Sequence, residues 1–160
     1  MTREWTAYLA ATRQCMEQCG AMLELEQGKR QALLGQDGEK LAAMLQNQQA
    51  AVMQLESLEK KRLAAQEALG YPAELPAAQL LERLEDSSEK QELAHLCTAW
   101  RRQVEELREL NKTALDIAKG NLRLLEQLTG AGAPAAKPTY QKTGSKQNEW
   151  AGGSRFEEKI

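Results

Sequence analysis

Aromatic residues are nearly missing from this 160-residue chain, which has three Trp, three Tyr and a single Phe. Valine and isoleucine are as rare, with two of each. Strands are built mainly from these residue types, so a β-sheet protein is excluded and thin helical packing is favoured. Basic charge is not in excess either: 21 Lys and Arg face 23 Asp and Glu, for a net charge of -2. With no surplus of cations to neutralise phosphates, nucleic acid is not an expected partner. No stretch approaches the roughly 18 apolar residues of a membrane span. The opening "MTREWTAYLAATRQC" has none of the apolar core of a secretory leader. We therefore expect no membrane insertion and a cytoplasmic protein.

Histidine and cysteine are equally sparse. His95 is the only histidine, and Cys15, Cys19 and Cys97 are the only cysteines. Three cysteines in a chain without a leader fit a reducing compartment. Cys15 and Cys19 lie one helical turn apart, but structural zinc takes four ligands and no others are close in sequence. Both fall on an apolar stripe, where Cys behaves as a small hydrophobe. His95 and Cys97 are two apart, so on a helix they do not face each other. Nothing assembles a nucleophile, a base and an acid. We expect no catalysis, no cofactor and no metal site.

What the sequence does have is Ala, Leu, Glu, Gln, Lys and Arg, the strong helix formers. From Trp5 a stripe recurs at three and four, through Trp5, Leu9, Thr12, Met16, Cys19 and Leu23, then Leu33 and Leu34, widened by Tyr8, Cys15 and Met22. That spacing predicts an amphipathic helix. "GQDG" (35–38) stops it and offers Asp37 as the next N-cap. A second helix follows from about Glu39 to Leu69, its stripe running through Leu41, Met44/Leu45, Gln48, Val52, Leu55, Leu58, Ala65 and Leu69. Gly70 and Pro72 end it. "AAQLLERLE" reads as a short helix with Pro76 at its first position, either separate from the last helix or continuous with it. "EDSSEKQE" holds two capping boxes, Asp86 with Glu89 and Ser88 with Gln91. The last long helix then covers about Ser88 to Leu128 and ends at Gly130. The charged runs "EKKR" (59–62) and "WRRQ" (100–103) read as solvated helix faces, with Trp100 a core anchor. The expected fold is all-α: an elongated antiparallel three-helix bundle, made of a helical hairpin and a long C-terminal helix, with one short extra helix. The bundle occupies residues 1–129.

The last helix changes character partway. Leu93, Leu96/Cys97, Trp100, Val104 and Leu107 form an ordinary seam, but its continuation lands on Asn111, Ala114, Ala118 and Asn121. Large apolar residues move to the flanks, Leu110, Ile117 and Leu124 on one side and Leu115 and Leu122 on the other. Together they span roughly 180° of the helix. A single packing face needs little more than about 100°. Two readings follow: either two neighbours in the bundle fill this arc, or one flank packs internally and the other stays open for a partner helix. An open flank would equally suit a homodimer of the free protein. Asn111 and Asn121 on the seam suit a role in fixing register.

From residue 130 the composition shifts to Gly, Ala and Pro without periodicity, and residues 130–160 read as a flexible C-terminal tail that cannot bury enough apolar area to order itself. It nevertheless carries Tyr140, Trp150 and Phe156. The succession of a long helical hairpin, "LRELNK" (107–112), "NLRLLEQLTG" (121–130), "TYQKTG" (139–144) and the short ending "GGSRFEEKI" resembles the FlgN-type flagellar export chaperones. That resemblance implies a type III export chaperone that binds the C-terminal amphipathic segment of hook-associated (hook–filament junction) proteins. It implies a cargo surface on the last helix, taken here as Leu107, Leu110, Leu115, Ile117, Leu122, Leu124 and Leu125. It also implies that Tyr140, with Gly144, docks the cytoplasmic domain of the export gate. Two rival readings remain: a structural coiled-coil adaptor or stator-like component of a secretion apparatus, and a redox or metal sensor resting on the three cysteines.

Overall fold

The computed structural model describes residues 2–130. Four helices account for most of them: α1 (Arg3–Leu34), α2 (Gly38–Ala68), α3 (Ala77–Arg83) and α4 (Ser88–Thr129), with no strand among the described residues. The all-α bundle expected from the sequence is the fold observed. The Thr2 hydroxyl caps α1 by accepting from the Trp5 amide at 3.3 Å. Asp37 caps α2, accepting from the Lys40 amide at 3.0 Å. The sharp bend between them falls on Gln36, whose φ of 53° is left-handed, although glycines stand on either side of the turn.

α1 and α2 form an antiparallel hairpin, and α4 runs back along α1 in the same direction. The cross-links show this, with Arg13 pairing with Glu92, Cys19 with Trp100, Lys29 with Asn111 and Asn121 with Leu33. α1 packs against both other long helices and forms the spine of the bundle. Eight of its ten buried positions keep four-three spacing, Tyr8, Thr12, Cys15, Cys19, Met22, Glu26, Lys29 and Leu33, with Leu9 and Ala32 beside them. That is the seam of a coiled coil, with two charged residues in line with the apolar ones.

At the proximal end, where α3 lies, the core is well filled. Tyr8, Leu80, Leu93 and Trp100 are each fully buried. The Trp100 indole N–H donates to Cys19 Sγ at 3.1 Å. Arg62 lies over the Trp100 ring, 5.3 Å from its centroid, and makes a bidentate ion pair with Glu59 at 3.0 and 2.8 Å. Its remaining donors face Tyr8 Oη at 3.3 Å and Gln66 Oε1 at 3.5 Å. Gln66 in turn donates to the carbonyls of Pro72 and Leu75, tying the turn before α3 to the bundle. This corrects the reading of "EKKR" as a solvated face: Lys60 and Lys61 are exposed, but Glu59 and Arg62 point inward and satisfy each other. A buried charge pair is tolerated when its geometry and hydrogen bonds are this complete.

Two local expectations change and one open alternative is decided. Pro76 precedes α3 as its N-cap residue and is not its first helical residue. α3 is separate from α4, because Leu84 turns extended with ψ of 141°. Neither expected capping box forms. The cap of α4 is Ser87, which accepts from the Lys90 amide at 3.2 Å, while Asp86 instead accepts from the Lys90 ammonium.

Candidate functional site

α4 is 42 residues long and α1 only 32. The last eight residues of α4, Leu122–Thr129, run about 12 Å past the final bond to α1 at 1.5 Å per residue. The Asn121 amide marks the end of the overlap, donating at 2.9 Å to the carbonyl of Leu33 in the last turn of α1. From Leu122 onward every α4 residue is exposed.

Three rows of positions, each repeating every seven residues, define this part of α4. The seam row holds Trp100, Leu107 and Ala114, all buried, then Asn121. One flank row holds Arg101, Arg108, Leu115 and Leu122, exposed throughout. The bundle asks for nothing apolar in that row, since it carries arginines lower down and leucines only near the end. The opposite row, Gln103, Leu110, Ile117 and Leu124, passes from half-buried to exposed. Of the two readings of the wide arc, one flank is therefore partly packed and the other open. Leu115, Leu122, Leu124, Leu125 and Leu128 keep 53%, 55%, 45%, 57% and 77% of their surface. The charged residues Lys112, Asp116, Lys119 and Arg123 gather on the far side of the helix.

Among the residues expected to form the cargo surface, Leu115, Leu122, Leu124 and Leu125 are exposed and Leu110 and Ile117 half-buried. Leu107 is only 2% exposed and belongs to the core of the free protein. Tyr140 and Gly144 lie outside the described residues. Leu34, expected on the α1 stripe, is 62% exposed beside the same end of the bundle. Counting sevens would have found this, since the seam selects Leu33 and turns Leu34 outward. Exposed Leu128, also missed, is in the last turn of the overhang.

Under this end lies a polar layer. The Lys29 ammonium donates to Glu26 Oε1 at 2.9 Å, Gln48 Oε1 at 3.2 Å and Asn111 Oδ1 at 3.1 Å. Gln48 Nε2 also donates to Glu26 Oε1 at 2.7 Å, while Glu26 Oε2 is buried without a partner. Asn111 and Asn121, the two polar residues of the seam, thus each bond to α1.

The cysteines sit in the proximal core. Burial pushes the Cys15 thiol up to about 12, helped by the Glu59 carboxylate, and the Cys19 thiol up to about 11. Thiols held protonated in an apolar interior are poor nucleophiles and poor metal ligands. His95 is an exposed surface residue. Among the described residues, no group of three or more His, Cys, Asp or Glu is placed to hold a metal. None of the described helices is long and apolar enough to cross a membrane. What this site offers is an exposed apolar flank, Leu115 and Leu122, joined by Leu124 and Leu125 beyond the overlap, a surface suited to receiving another amphipathic helix.

A protein-family model described as "FlgN protein" matches residues 1–148. No curated protein and no solved structure matches the chain.

Proposed function

The chain belongs to the FlgN family of flagellar export chaperones, and from that premise we propose that the distal face of α4 holds the C-terminal amphipathic segment of hook-associated junction proteins. The observation that carries this reading is the exposure of Leu115 and Leu122, 53% and 55%, in a row of α4 that holds arginines lower down and turns apolar only toward the end. Cargo subunits that assemble through amphipathic helices need an equally broad apolar cover to stay apart in the cytoplasm. Leu115, Leu122, Leu124 and Leu125 supply it, with Leu110 and Ile117 at its edge. Leu107 acts from beneath as support. The work is done by binding alone, without catalysis.

The same reading gives Tyr140, with Gly144, the task of docking the cytoplasmic domain of the export gate. The matched span reaches past both residues. A phenol ring suits a reversible anchor because it buries much area at low entropic cost. The test uses a synthetic peptide carrying a junction protein's C-terminal segment, titrated by calorimetry. Leu115→Asp and Leu122→Asp should each weaken binding at least about tenfold, roughly 1.4 kcal/mol, with helicity unchanged. Tyr140→Ala should keep peptide affinity and lose capture of the purified gate domain. Wild-type peptide affinity in both aspartate variants would end the assignment of this face.

A further inference from the structure

Resting on that chaperone reading, we infer that the distal third of the bundle opens at the Glu26–Lys29–Gln48–Asn111 layer, and that cargo binds the seam of α4 as well as its exposed leucines. The continuous core runs from Tyr8, Leu80 and Trp100 up to Met22, Ala51 and Leu107, and there it stops. Beyond the polar layer the buried apolar residues are Ala32, Leu33 and Ala114, none of which belongs to that core. In this region α4 has only Ala114 fully buried, with Leu110, Ile117 and Ala118 half-buried, beside the Lys29–Asn111 bond and the Asn121–Leu33 bond.

The layer itself is a weak joint. Two charges and the Gln48 amide are taken from water there, the Asn111 amide only partly, and one carboxylate oxygen, Glu26 Oε2, has no hydrogen-bond partner within the protein. Desolvation of this kind is recovered only when every polar atom finds a partner. The Arg62–Glu59 pair at the proximal end meets that condition and this layer does not. Stretches with few apolar contacts are the ones that open locally while the rest of a fold stays closed.

The geometry of the leucines gives opening a purpose. On a helix, Leu115 and Ile117 point roughly 160° apart, and the strip between them, Ala114 and Ala118, faces α1. A single partner helix can reach the Leu115 flank of the closed form but not the Ile117 flank. Lifting the end of α4 from the hairpin joins the two flanks through a floor of small residues. That floor allows the partner's backbone close approach. The partner is an amphipathic helix wide enough to fill the whole arc.

Hydrogen exchange on the full-length chain tests this directly. Amides 111–121 should exchange at least about tenfold faster than amides 93–107, and should become protected when the junction-protein peptide binds. A combined variant, Glu26→Leu, Lys29→Met, Gln48→Leu and Asn111→Leu, makes the whole layer apolar, leaves no amide without its Lys29 partner, and does not touch the exposed leucines of the cargo face. It should slow exchange in 111–121 and weaken peptide binding about tenfold, because the open form is then rarer. Equal exchange rates in the two segments of the native chain would overturn the inference, whether or not the variant folds. Slower exchange with unchanged peptide affinity would overturn it too, and would leave the exposed-face reading standing. A native chain that fails to bind the peptide at all would remove the cargo reading and this inference with it.

Discussion

The two ends of this bundle both place charged residues between helices, and they manage them differently. At the proximal end, Arg62 and Glu59 meet face to face, an aromatic ring covers the guanidinium, and Tyr8 and Gln66 take up its remaining donors. At the distal end, Lys29 has three partners but Glu26 keeps an idle oxygen, and the neighbouring buried residues are mostly alanines. One arrangement anchors and the other can yield. The difference shows that a buried charge does not mark either stability or weakness by itself. How fully its lone pairs and protons are used, and what packs around it, decide which it is.

The largest effect should come from breaking the anchor. Arg62→Ala leaves Glu59 buried and uncompensated, and removes the cover from Trp100. Leaving one partner of a buried pair alone costs about 3–5 kcal/mol, so urea unfolding should shift strongly to lower concentration. A loss below about 1 kcal/mol would mean that the proximal end is not what holds the chain together.

A second contrast runs along α4. Leu107→Ala empties a filled core site and should cost about 2–4 kcal/mol. Leu122→Ala removes a side chain that is 55% exposed on the overhang, and should change stability by less than about 0.5 kcal/mol. Similar losses in the two would show that the overhang is packed in solution and that its leucines are not waiting for a partner.

Much of this contrast was legible in the sequence, and the missing parts share one cause. The helices, the Asp37 cap, the seam of α4 down to Leu107 and the displacement of its leucines all follow from apolar spacing. What escaped was the charged residues at core positions, and Gln66 with them, whereas Thr12 and Gln48 already lay on the predicted stripes. Glu26 and Lys29 continue the four-three seam of α1, and Glu59, Arg62 and Gln66 take the inner face of α2 while Leu45 turns outward. A hydrophobicity stripe passes over such residues because their burial depends on partners far along the chain, such as Tyr8 for Arg62 or Asn111 for Lys29. The cap of α4 was missed for a related reason: three adjacent residues, Asp86, Ser87 and Ser88, can all cap, and only the approach of the chain selects Ser87. Exposure of Leu115 and Leu122 was likewise undecided until the lengths of α1 and α4 could be compared.

The smallest effect reads the same comparison through pH. Cys15, Cys19 and Cys97 all lie at the proximal end, and burial raises each thiol above its usual value of 9.0. In the unfolded chain these thiols ionise above pH 9, while in the fold Cys15 stays protonated to about 12 and Cys19 to about 11. The native state then binds more protons than the unfolded one, so stability is fully present below pH 9 and falls as pH rises beyond it. The slope is roughly 1.4 kcal/mol per pH unit for each such thiol. Between pH 9 and 10.5, urea midpoints should therefore decline, and Cys15→Ala with Cys19→Ala should flatten the decline even though both changes lower stability at neutral pH. The distal end has no thiol to titrate, so hydrogen-exchange opening of residues 111–121, corrected for the intrinsic pH dependence of exchange, should not follow the decline. If both ends loosened together above pH 9, the bundle would be a single cooperative unit and the division between anchor and yielding end would be wrong.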